Sequence, residues 1–132
     1  MKILKTKVVK LKESLSHDEV IKINKSLNDN LSIEELQAIY DDLQSRRADY
    51  GKEYREEYNR ISDQVDEIDK KVEAEGRKIT KEEWELKAKL LRGRDILTSN
   101  YDYFYNTYEK AFNKLVAAKA KRTRDLKKMN RN

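Results

Sequence analysis

Cysteine and proline are both absent from this chain of 132 residues, which has only three glycines and one histidine. Without cysteine, the chain cannot form a disulfide scaffold, a thiolate nucleophile or a cysteine-ligated zinc site. No apolar run approaches the roughly 18 residues that span a bilayer, and the lysine-containing N-terminus lacks the apolar core of a signal peptide. The bias toward lysine, asparagine, isoleucine and tyrosine is typical of an AT-rich genome, such as that of a low-GC bacterium or its phage. We therefore expect a cytoplasmic protein of a bacterial host cell.

Recognisable catalytic motifs are also missing. The sequence contains no glycine-rich phosphate loop, no nucleophile elbow and no Glu-x-x-His pair. His17 occupies the first position of a predicted helix, where capping accounts for its neighbours. Asp63, Asp66 and Asp69 recur every three residues, so their positions shift progressively around the helix. Their carboxylates therefore do not converge on a metal ion. We expect a protein that is not an enzyme and has no catalytic residues, metal site or cofactor.

Two long stripes of apolar and aromatic residues are the main feature that the chain does have. From Ile33 to Val72 they recur at alternating steps of three and four, with Arg47 filling one gap and one extra step of four near Tyr54. A second stripe, which has Arg94 and Arg122 at two of its positions, runs from Leu90 to Met129. This 3.5-residue period is typical of helices that pack in a coiled coil. The predicted fold is all-α: a long antiparallel coiled-coil helical hairpin with a short N-terminal helix.

The same helix-start signal occurs three times, in Leu15-Ser16-His17-Asp18-Glu19-Val20, in Leu31-Ser32-Ile33-Glu34-Glu35-Leu36 and in Ile79-Thr80-Lys81-Glu82-Glu83-Trp84. Each is a capping box flanked by an apolar pair. They predict helices over about 16–28, 32–75 and 80–129, with a turn at 76–79. Residues 1–31 would form a basic segment and a short capping helix, 32–129 the hairpin and 130–132 a tail. Residues facing each other in the hairpin would have numbers that sum to about 155.

Residues 1–14 fit either a helix or a short strand, and the run Lys7-Val8-Val9-Lys10-Leu11 favours the strand. With helices beginning at Ser16 and Ser32, residues 5–46 resemble the ribbon–helix–helix family of DNA-binding dimers. The resemblance implies strands from two chains that pair in the major groove. The chain departs from that pattern in a longer link before the first helix and in having Asn30 where the family has a glycine.

Positive charge is concentrated at the two ends of the sequence. Residues 1–12 carry a net charge of +5, residues 110–132 carry +8 and the remainder carries −8. An antiparallel hairpin would bring both basic ends to one pole, where they are either solubilising or able to contact phosphate or an acidic protein surface. Tyr103 lies off the apolar stripe and is predicted to be an exposed contact. The candidate macromolecule-binding residues are Lys5, Lys7, Lys10, Tyr103, Lys119, Lys121, Arg122, Arg124, Lys127, Lys128 and Arg131.

Two functional hypotheses follow from these features. The first is a non-catalytic protein-interaction module, such as an adaptor, an assembly factor or an inhibitor of host defence encoded by a phage or mobile element. A two-helix hairpin leaves its flanks uncovered, so we also expect a homodimer. The alternative is a DNA- or RNA-binding protein that uses the basic pole, with or without a ribbon–helix–helix head.

Overall fold

The computed structural model describes residues 15–130, which form three α-helices and no strand. Helix α1 spans His17–Ser26, α2 spans Ile33–Ala74 and α3 spans Lys81–Asn130. The predicted all-α fold and helical hairpin are confirmed, and every helix begins within one residue of its predicted start. The question of a strand in residues 1–14 lies outside the described residues.

Side-chain caps explain where the helices begin. The Ser32 hydroxyl accepts a hydrogen bond from the Glu35 amide at 3.1 Å, and the Glu35 carboxylate accepts one from the Ser32 amide at 3.1 Å. Thr80 and Glu83 form the same reciprocal pair, also at 3.1 Å. At Ser16 the hydroxyl accepts from the Glu19 amide at 3.2 Å. These bonds satisfy amide groups that have no partner within the helix.

Helix α2 ends in a Schellman motif. Gly76 adopts the left-handed conformation with φ of 60°, the Gly76 amide donates to the Glu73 carbonyl and the Arg77 amide donates to the Val72 carbonyl. Arg77 then forms a bidentate ion pair with Glu83 at 2.7 and 3.0 Å. The turn is thereby linked to the first turn of α3.

The described residues divide into two compact units, one of residues 15–49 with 103–130 and one of residues 50–102. In the second unit, α2 packs on α3 through the stacked rings of Tyr54 and Tyr101, whose centroids are 4.4 Å apart. Further along, Lys87 forms an ion pair with Asp69 at 2.6 Å. These pairs have numbers that sum to 155 and 156, as the predicted register requires.

The first unit adds α1 to the two long helices. Its buried apolar side chains come from the α1 region, α2 and α3: Leu15, Val20, Leu27, Leu36, Leu43, Phe104, Ala111 and Leu115. Thr107 is fully buried among them and accepts a hydrogen bond from the Asn24 side-chain amide at 2.8 Å. This polar contact fixes α1 against α3.

Candidate macromolecule-binding surface

The last turns of α3 carry most of the predicted contact residues. Residues 119–130 are all exposed and have a net charge of +5, with Asp125 as their only acid. We call these residues the basic segment. Its cationic side chains are Lys119, Lys121, Arg122, Arg124, Lys127 and Lys128. The remaining predicted cations, Lys5, Lys7, Lys10 and Arg131, lie outside the described residues.

Only Arg122 in the basic segment has an ionic partner within residues 15–130. Its guanidinium donates to the Glu34 carboxylate at 3.1 Å, and both side chains are exposed. The pKa of Glu34 is lowered, first by the hydrogen bond to its own backbone amide and then by Arg122. The other five cations have no ion pair or side-chain hydrogen bond with the described part of the chain, so their charges face solvent.

Four lysines form a row along one face of α3. Lys110, Lys114, Lys121 and Lys128 follow each other at steps of four, seven and seven. Seven residues are close to two helical turns, so the side chains project from the same face over about 27 Å. Arg124 lies next to this row at a step of three from Lys121. We call these five residues the basic row.

The first two lysines of the basic row contact the C-terminal end of α1 and the loop after it. Lys110 donates to the Asn24 carbonyl at 3.2 Å, and Lys114 forms an ion pair with Asp29 at 3.0 Å. Beside these contacts, an open groove of about 670 Å³ separates the loop from α3. The groove is lined by Asn28, Asp29, Leu31, Leu36, Asn106, Glu109, Lys110, Asn113, Lys114, Ala117, Ala118 and Lys121.

Tyr103 does not join this surface. Its ring is half-buried and packs edge-on against His17, with centroids 5.5 Å apart. Its carbonyl accepts a hydrogen bond from the Thr107 hydroxyl at 2.8 Å. Sixteen residues separate it from Lys119, which is about 24 Å along a helix. The structure therefore places Tyr103 beside α1, apart from the basic segment.

A second surface of the same unit is aromatic. Thr107 and Lys110 contact α1, whereas Tyr105, Phe112 and Val116 point to another side of α3, as the 100° turn per residue requires. Their exposed fractions are 37%, 45% and 49%. We call this surface the aromatic face, and its members are Tyr40, Arg47, Tyr105, Tyr108, Phe112 and Val116.

Contacts within the aromatic face hold its side chains in place. The Tyr40 ring lies 5.4 Å from that of Tyr108 and 5.5 Å from that of Phe112, measured between centroids. The Arg47 guanidinium lies over the Tyr108 ring at 5.2 Å and over the Tyr105 ring at 5.8 Å. The pairing of Arg47 with Tyr108 that the heptad register predicts is therefore present, as a cation–π contact.

The unit of residues 50–102 has exposed apolar side chains of its own. Trp84, Leu86 and Ile96 are more than half exposed. An open groove of about 520 Å³ is lined by Gln64, Glu67, Ile68, Lys71, Glu83, Leu86 and Leu90. Arg94, a polar residue on the apolar stripe, lies over the Tyr58 ring at 5.0 Å and donates to the Ser62 hydroxyl at 3.1 Å.

Within residues 15–130, no group of three or more carboxylate or histidine side chains could hold a metal ion. None of the helices described there is both long and apolar enough to cross a membrane. The Nδ1 atom of His17 is buried and lacks a hydrogen-bond partner.

Comparisons with protein-family models, curated proteins and solved structures found no match.

Sequence reasoning misses two features of the unit that contains α1. The basic row extends to Lys110 and Lys114, and the repeated spacing of 114, 121 and 128 is the available signal. The aromatic face is the second feature: Tyr40 and Tyr108 lie on the stripe and stack between α2 and α3, whereas the exposed Tyr105, Phe112 and Val116 lie off the stripe. The aromatic face stays exposed because α1 packs on another side of α3. The side on which α1 packs depends on contacts among three helices, which a two-helix heptad pattern does not describe.

Proposed function

We propose that this chain is a non-catalytic helical-hairpin interaction module whose basic segment contacts an acidic surface of a protein partner. An adaptor, an assembly factor or an inhibitor encoded by a phage or mobile element would work in this way, in the cytoplasm of a bacterial cell. The observation that supports the proposal is the set of five solvent-facing cations on exposed turns of α3.

The apolar side chains of the basic segment favour a protein as the partner. Leu126 and Met129 are 53% and 72% exposed, and with Arg122 they follow a spacing of four and three along one face of the helix. A helix that presents apolar anchors beside basic residues is suited to a groove on another protein. Apolar anchors contribute little to contacts with a phosphate backbone, which are electrostatic.

Site-specific photo-crosslinking in host cells tests this proposal. A photoreactive residue at Leu126 should give a discrete protein adduct, because the partner would cover that side chain. The same residue at Leu86, which is 51% exposed in the other unit, is the matched control. Adducts that are absent at position 126, or equal at both positions, would contradict the proposal.

Nucleic acid is the second candidate partner, and the basic row favours it. Its three members without an ion pair or side-chain hydrogen bond within residues 15–130, Lys121, Arg124 and Lys128, could each neutralise a phosphate and release its counterions, which makes binding strongly dependent on salt. Each phosphate contact contributes close to one unit to the slope of log K against log salt. The DNA-binding head implied by residues 5–46 would add to such binding.

Fluorescence anisotropy with labelled duplex and single-stranded oligonucleotides tests the second candidate at low and physiological salt. A triple variant in which Lys121, Arg124 and Lys128 are each replaced by glutamine should lower the salt slope by about three units. A control variant with glutamine at Lys22, Lys25 and Lys70 removes the same charge from exposed positions elsewhere and should bind like the parent chain. If no oligonucleotide binds at either salt concentration, nucleic acid is excluded as the partner and an acidic protein surface remains as the candidate.

We also propose that the module acts as a homodimer, because its helices leave apolar flanks uncovered. In the unit of residues 50–102, only Gly51, Ile61 and Val65 are buried, and no residue of α3 within that unit is buried. In the other unit the aromatic face remains partly exposed. Sedimentation equilibrium over a range of concentrations should give twice the chain mass of 15.8 kDa, and a monomer at every concentration would refute the dimer.

A further inference from the structure

The open groove between the α1–α2 loop and α3 adjoins the basic segment, and we infer that it binds an extended acidic peptide of the protein partner. We call it the loop groove. Lys121 belongs to both surfaces, since it lines the groove and is also part of the basic segment. This peptide site rests on the proposed function and adds to it a second contact surface and the chemistry of the segment that binds there.

The size of the loop groove suits a short peptide. Its volume is about 670 Å³, within the range of about 300–1,000 Å³ that is usual for ligand sites. On α3 its lining runs from Asn106 to Lys121, which is about 22 Å along the helix axis. An extended chain rises about 3.3 Å per residue, so about seven residues of a partner would span the groove.

The apolar part of the lining provides a place for one side chain of that peptide. Leu31 precedes α2 and Leu36 lies in its first turns, and both line the groove opposite Ala117 and Ala118 of α3. The two alanines are small and leave room between the elements. An apolar side chain inserted there would be removed from water together with these four residues, which favours binding.

The polar part of the lining matches a peptide backbone better than a phosphate backbone. Asn106, Glu109 and Asn113 are exposed and have no side-chain hydrogen bond or ion pair within residues 15–130. The asparagine amides offer donors and acceptors, and the carboxylate offers acceptors. A peptide presents both N–H and C=O groups, so it can pair with both kinds. Phosphate groups offer acceptors only and carry negative charge, so Glu109 and Asp29 would repel them.

The lysines of the loop groove indicate that the peptide carries acidic side chains. Lys110, Lys114 and Lys121 line the groove, and the basic segment continues the positive charge along α3. Lys114 is paired with Asp29, whose side chain is 98% exposed, so a carboxylate of the peptide can compete for Lys114 without opening a buried contact. A second carboxylate would pair with Lys121, so acidic residues should lie on both sides of the apolar one.

Selection from a display library of short random peptides on the full chain tests the chemistry of the segment. The enriched sequences should carry aspartate or glutamate on both sides of an apolar residue. Enrichment of basic or uncharged sequences, or of no sequence at all, would overturn the inference.

Fluorescence anisotropy with an enriched, labelled peptide tests where it binds. Ala117→Phe places a large side chain in the loop groove at an exposed position and changes no charge, so it should weaken binding about tenfold or more. Ala38→Phe is the matched control, at an exposed position on α2 outside the groove lining, and should bind like the parent chain. Circular dichroism of both variants checks that the helices are retained.

Charge changes at Asn113 give an independent test with the same peptide. Asn113→Asp should weaken binding and Asn113→Lys should strengthen it, each about threefold, because position 113 would face the acidic segment. The two variants alter an exposed side chain without a partner in the described part of the chain. Equal affinities of both variants and the parent chain would contradict the inference.

The outcomes separate this inference from the proposed function. An adduct at Leu126 together with peptide binding that Ala117→Phe leaves unchanged means that the partner contacts the basic segment alone, so the inference fails and the proposed function stands. A labelled oligonucleotide whose binding is weakened by Ala117→Phe but not by Ala38→Phe would identify the groove as a nucleic-acid site and overturn the inference. A missing adduct at Leu126 refutes the proposed function whichever peptides are selected.

Discussion

The rings of Tyr40 and Tyr108 stack with centroids 5.4 Å apart, and their hydroxyl oxygens lie 3.2 Å from each other. This hydrogen bond links α2 to α3 and raises the pKa of Tyr40 above its ordinary value of 10.0. A pKa raised in the folded state means that the unfolded chain loses the proton first. The stabilisation that the folded state gains from protonated Tyr40 is therefore complete below pH 10 and is lost as the pH rises above it.

Urea unfolding between pH 8 and 11 measures this effect. The free energy of unfolding should fall less steeply with pH in Tyr40→Phe than in the parent chain, since the variant lacks the perturbed hydroxyl. Ile39→Val, a small change at the half-buried neighbouring position, should retain the parent slope. Equal slopes in the parent chain and Tyr40→Phe would contradict the prediction.

Replacing Thr107 by valine should destabilise the protein by about 1–3 kcal/mol, because the shape is kept while the Asn24 amide loses its acceptor. Thermal or urea unfolding followed by circular dichroism gives the value. Thr107→Ser keeps the hydroxyl and should lose less stability than Thr107→Val. If the serine variant is the less stable of the two, packing of the methyl group outweighs the hydrogen bond.

Glu83 should make folding sensitive to acid. Its hydrogen bonds with Arg77, and then with the Thr80 amide, lower its pKa from 4.5 to about 2. Because the folded-state pKa is depressed, the stabilisation is present above pH 4.5 and is lost as the pH falls towards 2. Between pH 4.5 and 2, the free energy of unfolding should depend less steeply on pH in Glu83→Gln than in the parent chain. Glu82→Gln, at the exposed neighbouring position, should retain the parent slope.

Two glycines should respond to alanine in opposite directions. Gly93 lies inside α3, and an added methyl group would meet no atom within 4 Å beyond the adjacent helix backbone, so Gly93→Ala should stabilise the protein by about 1 kcal/mol. Gly76 has a φ of 60°, which costs a residue with a side chain about 1–2 kcal/mol. Gly76→Ala should therefore be destabilising. Urea unfolding of both variants checks the two signs.

Local sequence signals predicted the helices because those signals act over a few residues. Ser32 with Glu35 and Thr80 with Glu83 form the capping boxes that the spacing predicts, and Tyr54 with Tyr101 follows the predicted register. These contacts depend on helical geometry and on the position of one turn, both of which are readable from residue spacing.

Packing among three helices could not be predicted in the same way. Thr107 lies off the apolar stripe, yet it is fully buried because α1 covers that side of α3 and Asn24 supplies a hydrogen-bond partner. For the same reason, Tyr103 packs on His17 instead of being a free contact. The heptad pattern describes the contact between two helices and carries no information on where a third one docks.

The ion pair of Arg122 with Glu34 is the last ion pair between α3 and α2 along α3 within the described residues. Residues 123–130 extend about two helical turns past it, and Arg124 repels Lys127 and Lys128 at steps of three and four. In the free protein, these turns should exchange their amide hydrogens faster than the rest of α3. An anionic partner would neutralise that repulsion, so binding would also order the helix end and slow its hydrogen exchange.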